Sequence, residues 1–360
     1  MQRRYLWLAV ALSVVFVSAA GYILSGSLLY AKYQTSLAHF TSSCDALISW
    51  NPPQRLYTGL YVNAPDLVVV HYRSQIRQTL RITVSIPQFT QEERVQVTAV
   101  QSFQEHAFKP SVLNAALDAL VGPGQRPAQM HLRVESLSKV LCDTSVPLTL
   151  ISRQIMRWYD PASGDNSPYL AGWVTPNAPV ISELVGHAAA RLHNSPTTYP
   201  DAHEMYGYDA GRASENDVRD QVDALFDTLQ FDYHVRYASD NIPFNQDATQ
   251  RIQLPEDILS RNAPTGMCVE TTAILASAVE QLGMRPYIII VPGHAFLGVA
   301  LGSSDKAPID FWETSDLNGQ SGNTANVHGQ NEYRSYEQHG QIQRVIDIQG
   351  ERDRDIEPIE

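Results

Sequence analysis

The chain has 360 residues, 44% of them hydrophobic and 18% charged, which excludes a disordered polymer and leaves room for two ordinary domains. A formal net charge of -12, with Lys and Arg scattered rather than clustered, excludes the basic footprint that phosphate binding needs, so no nucleic acid partner is expected.

From Tyr5 to Ala31 there is no charged residue, and Leu6 to Leu29 is dominated by Leu, Val, Ala, Phe and Ile, long enough for a helix to cross a hydrocarbon core. Arg3 and Arg4 precede it and Lys32 follows, a bias that keeps the N-terminus in the cytoplasm and sends the rest outward. Residues 1–32 are therefore expected to form a signal anchor or transmembrane helix. A cleaved signal peptide is the alternative, with Leu6 to Val17 as its apolar region and Ser18, Ala19 and Ala20 at the cleavage site. Either way the bulk of the chain is expected to be extracytoplasmic, tied to the membrane through this helix if it is retained.

Of the three cysteines, Cys44 and Cys142 bracket the first soluble region and are candidates for a disulfide in an oxidising compartment, leaving Cys268 as the odd thiol. Two separate small buried thiols are the other reading of that pair. Short runs rich in Val, Ile, Leu and Thr (Leu67 to Val70, Thr79 to Ile86, Arg94 to Val100, Met130 to Val134) carry a period of two between Pro and Gly turns. They predict a β-sandwich over residues 44–160, with one helical interruption around Val112 to Leu120. Residues 161–213 are rich in Pro, Gly, Asn, Ser and Tyr and read as a linker region with one helix, Val180 to Leu192. His187, His193 and His203 within it match no zinc template, and no metal or other cofactor is expected.

The second domain is expected over 214–350. Ser214 to Asp217 offer N-caps for a helix with Val218, Val222, Leu225, Phe226 and Leu229 on one face. Tyr233 and Tyr237, near the start of this domain, read as core or cleft-wall residues. Gly266-Met267-Cys268 then opens a second helix that Gly283 stops. Cys268 sits in its first turn, where backbone N–H groups favour thiolate over thiol and can hold an oxyanion. After a strand from Tyr287 to Val291 and a break at Pro292-Gly293, His294 leads a further strand to Leu301 and is placed to take the thiol proton. The next run, Ile309 to Glu313, supplies a carboxylate to orient the imidazole. Glu313 is the choice and Asp310 the reserve, because they lie an odd number of positions apart and one alone can share the face of His294. The Gly-, Asn- and Gln-rich stretch from Asn318 to Gln341 reads as a surface loop, Val345 to Ile348 as a last strand, and Glu351 to Glu360 as a frayed end.

The order Leu254-Pro255 through Ile258-Leu259, Gly266-x-Cys268, Leu282-Gly283-Met284-Arg285-Pro286, Gly293-His294-Ala295-Phe296 and Glu313-Thr314-Ser315 resembles the transglutaminase-like superfamily of papain-like cysteine enzymes, of the bacterial membrane-anchored type. The resemblance runs from about Val218 to Leu317. It implies an α+β fold for this region, a Cys268, His294 and Glu313 triad, and a fold and site more firmly than a substrate. One departure stands out: the third member is usually Asp in an Asp-Pro-Thr context. No match to the calcium loops of the animal enzymes is present. The expectation is an exported thiol enzyme, a protease or amidase or a protein-glutamine transferase, acting through a Cys268 thioester on a peptide or protein at the cell envelope. A non-catalytic binding module that keeps the fold is the alternative, and a β-sandwich that binds an envelope partner is a third.

Overall fold

The structure, a computed structural model, describes residues 42–359 apart from 46, 121–123, 138, 161–163, 210–211, 240–241 and 245. In its first half β-branched residues alternate with polar ones, so each strand has one face to bury. The strands are β1 (Ser42–Asp45), β2 (Ile48–Trp50), β3 (Arg55–Tyr57), β4 (Val68–Tyr72), β5 (Gln78–Ser85), β6 (Glu93–Ala99), β7 (Gln104–Phe108), β8 (Gln125–Ser136) and β9 (Val140–Ile151). Short helices α1 (Thr58–Tyr61) and α2 (Asn114–Asp118) interrupt them. They form a four-stranded sheet ordered β1-β2-β4-β7 and a five-stranded sheet ordered β3-β9-β8-β5-β6, mixed because β3 joins β9 in parallel. Trp50, Val70 and Phe108 of the first sheet meet Ile82, Val84, Met130 and Leu132 of the second in one shared core. Cys44 on β1 and Cys142 on β9 are joined as a disulfide across the two sheets, with a Cα separation of 5.6 Å.

The second half contains β10 (Ile155–Arg157), β11 (Tyr159–Asp160), β12 (Gly164–Asp165), α3 (Pro179–Asn194), α4 (Glu215–Phe231), β13 (Arg236–Tyr237), β14 (Thr249–Arg251), α5 (Pro255–Leu259), β15 (Thr265–Gly266), α6 (Cys268–Gln281), β16 (Pro286–Val291), β17 (His294–Ala300), β18 (Ile309–Trp312), α7 (Gly322–Gln338), β19 (Arg344–Asp347) and α8 (Ile348–Arg352). Its central sheet is antiparallel with order β18-β17-β16-β19. The strand period divides that sheet cleanly. Ile288, Ile290, Leu297, Val299 and Trp312 join the main core with α3, α4 and α6. Ile289, Val291, Phe296 and Phe311 point the other way and pack with Tyr333 and Tyr336 of α7.

The membrane-spanning helix expected within residues 1–32 lies outside the described residues. Among the described residues no helix is long and apolar enough to cross a membrane. The longest, α4 and α7, have 17 residues each and carry charged side chains, whereas a span needs about 20 apolar ones. The fold is accordingly corrected to α+β with mixed sheets, without a transmembrane helix as one of its described elements. Three further expectations differ. Residues read as a linker supply fully buried Leu170, Trp173, Ile181 and Leu184 to the main core. Asn318 to Gln341 contains α7 rather than a loop, and Ile356 and Ile359 of the supposedly frayed end are buried.

Candidate active site

Cys268 is the first residue of α6, and the local sequence explains its placement. Met267 precedes the helix in an extended conformation, and the Glu270 carboxylate reaches back to accept its N–H at 2.8 Å. The same carboxylate accepts the Gln253 N–H at 2.7 Å, tying the helix start to the chain before α5. Gly266 is required by close approach, because a Cβ there would lie 2.9 Å from Thr271 Cγ2. Cys268 is fully buried, and its carbonyl accepts the Thr314 hydroxyl at 3.4 Å.

His294 and Glu313 arrive from neighbouring strands. The register sets Leu297 opposite Trp312, and Glu313 follows with the same side-chain parity as Phe311, toward α7. His294 Nε2 lies 2.9 Å from both Glu313 oxygens. The Cys268 thiol also interacts with the imidazole. In neutral His294 the carboxylate holds the proton on Nε2, which leaves Nδ1 as the ring's free acceptor. Asp310 has the opposite parity and instead receives the Arg219 Nε–H at 2.6 Å, so the structure brings Glu313 and not Asp310 to the imidazole.

The electrostatics of the group follow from this packing. Burial pulls the His294 imidazole down, but hydrogen bonds and charge from Cys268 and Glu313 outweigh it and push the group up to about 10. Burial raises Glu313, yet His294 and Glu332, with the Ser315 N–H at 2.7 Å, hold it down at about 2. Glu332, on α7, shows the converse: burial and the neighbouring Glu313 push it up to about 8, so it keeps its proton and donates it to Glu313. Tyr237, on β13, shares a hydrogen bond with Cys268, and chiefly burial, then the charges of Cys268 and Glu313, push its hydroxyl up to about 12.

Glu332 is the site residue that sequence reasoning missed. The buried residues of α7 are Gly322, Ala325, Asn326 and Gly329, small and polar, which do not read as an apolar stripe. The available signals were the Ser321 cap, whose side chain accepts the Thr324 N–H at 3.3 Å, and the spacing of three to four between those small residues. Gly329 allows the contact, since a Cβ there would sit 2.5 Å from the Phe311 carbonyl oxygen, and Glu332 follows three residues later on the same face. His294, Glu313 and Glu332 each present one donor atom, all within 4.8 Å of one another, so they are also the described residues best grouped to hold a cation.

No protein-family model matches the chain, and no curated protein is significantly similar to it.

Proposed function

We propose that the chain is a cysteine-dependent acyl-transfer enzyme of the transglutaminase-like kind, acting on peptide or protein amides in an oxidising, extracytoplasmic compartment. The observation that carries this reading is one imidazole held through Nε2 by a buried carboxylate and interacting with the helix-terminal Cys268 thiol. His294 accepts the thiol proton, and the Cys268 sulfur attacks the amide carbonyl, forming a C–S bond. The first-turn N–H groups of α6, which have no helical acceptor, face the resulting oxyanion. Collapse breaks the C–N bond as the imidazolium returns its proton to the leaving amine, and a thioester remains. Water, deprotonated by His294, then displaces Cys268 and yields the acid; an amine in place of water gives transamidation. Water needs no recognition site of its own, which favours hydrolysis. The Cys44–Cys142 disulfide supports the compartment.

The full burial of Cys268 favours a second reading, a non-catalytic module that displays its surface to a cell-envelope ligand. Alkylation separates the two. In an enzyme the buried thiol must become accessible to substrate, so Cys268 labels rapidly with iodoacetamide, and His294→Ala slows the reaction. Slow labelling that ignores His294 favours the binding module and rejects acyl transfer.

A further inference from the structure

Beside the strand that delivers the nucleophile lies a cavity of about 380 Å³, lined by Arg251, Gln253, Arg261, Thr265, Met267 and Glu270 among others. Two guanidinium groups face it in a chain whose net charge is -12. Each is oriented by a neutral amide. Arg251 Nε donates to Gln154 Oε1 at 3.0 Å, and an Arg261 terminal nitrogen donates to Gln253 Oε1. Among the described residues neither makes an ion pair with a carboxylate, in contrast to Arg285, Arg344 and Arg352, which bind Asp347, Asp165 and Glu280. The acid of the cavity, Glu270, is already engaged by the N–H groups of Gln253 and Met267 and by the Gln253 amide. Arg251 also acts electrostatically on the buried Glu270 carboxyl, whereas Arg261 is fixed by an amide acceptor that does not neutralise it, so the cavity keeps positive charge for an anion from outside.

We propose that this cavity is a subsite for a carboxylate on the substrate segment flanking the amide that Cys268 attacks. The inference rests on the acyl-transfer reading and names its substrate class. Met267, the chain neighbour of Cys268, and Glu270 of the first turn of α6 both line the cavity, which sets it beside the helix start that carries the thiol. An acidic side chain and a chain-terminal carboxylate offer the same chemistry there.

The test uses the full chain, whose other two cysteines are paired, so that Cys268 is the free thiol. Its alkylation rate is followed by intact mass with N-chloroacetyl-glutamate, the two monoamides of that reagent, and the neutral diamide. The carboxylate reagents are expected to react about tenfold faster than the diamide, the size of one charge-assisted contact. The monoamide that keeps this advantage tells side-chain from terminal carboxylate. In Arg251→Gln/Arg261→Gln the ratio of the carboxylate rate to the diamide rate falls to about one, and Arg251→Lys/Arg261→Lys retains part of the advantage. Equal rates in the native protein, or an advantage that survives in the Gln variant, overturns the proposal. A second measurement needs no reactive thiol: N-acetyl-glutamate raises Tm in the native protein and not in the Gln variant, whereas its diamide does neither. An unreactive Cys268 with that rise intact rejects acyl transfer and leaves the carboxylate site standing; no rise in the native protein overturns the site.

Discussion

Replacing Glu332 by Gln isolates the proton shared with Glu313. The two carboxyls lie within 4.8 Å, and two unit charges at about 5 Å repel by roughly 3 kcal/mol at an effective dielectric of about 20. Both are not ionised together. His294 and the Ser315 N–H stabilise the charge on Glu313, so the proton stays on Glu332, raised from 4.5 to about 8. A raised group contributes stability fully present below its unfolded value and lost as pH rises through its folded value, so this contribution fades between about 4.5 and 8. At about 1.4 kcal/mol per tenfold change in proton affinity the full effect would approach 5 kcal/mol. Glu332 is partly exposed, and solvent screening reduces the expectation to about 2 kcal/mol. Gln donates an N–H to Glu313 and does not titrate. In urea unfolding from pH 4 to pH 9, Glu332→Gln should match the native protein at the acid end and exceed it by about 2 kcal/mol at the alkaline end. His294, raised to about 10, also loses stabilising power as pH rises from 6.5, and it does so in both proteins. Curves that run parallel across the range, or a variant weaker at pH 9, would refute a neutral Glu332.

Glu313→Gln should slow iodoacetamide labelling of Cys268 at pH 6 by on the order of 10²-fold. Asp310→Asn, which loses the part-exposed Arg219 pair, should leave labelling unchanged and cost under about 1 kcal/mol in urea unfolding. Gly329→Ala forces a Cβ against the Phe311 carbonyl, and a loss of about 1–3 kcal/mol is expected by thermal unfolding, together with loss of the Glu332-dependent alkaline limb. Cys44→Ser/Cys142→Ser removes a bridge spanning 98 residues between the two sheets, and urea unfolding should weaken by about 2–5 kcal/mol while Cys268 labelling stays as it was.

What was legible in the sequence was the chemistry carried by short-range pattern. A glycine, a cysteine and a helical repeat place a thiol in a first helical turn, and strand parity allows only one of Glu313 and Asp310 to partner the same histidine. Composition misled where it was taken as a measure of exposure. The Pro- and Gly-rich stretch holding Leu170 and Trp173 winds as a 3-10 helix over Ser167–Trp173, and both side chains are fully buried. Turn chemistry fixes backbone shape and says nothing about which surface the chain crosses. The end of the chain makes the same point: the Ile359 N–H donates to the Gly172 carbonyl at 2.8 Å, and Asn63 bonds Glu357, pairings of too great a sequence separation for any local pattern to announce.

Glu332 marks the deeper limit. Its helix lies against β18 through glycine and asparagine, with Asn326 donating to the Phe311 carbonyl at 3.1 Å, and through Tyr333 stacked on Phe311, without a regular apolar stripe. A carboxyl on such a helix reads in sequence as a solvated surface charge. Its protonation state is set instead by Glu313, nineteen residues earlier in the chain, whose own charge is held by the His294 imidazole. The protons of His294, Glu313 and Glu332 are thus assigned together. A change at Glu332 is therefore expected to reach the thiol through pH dependence before it reaches it through structure.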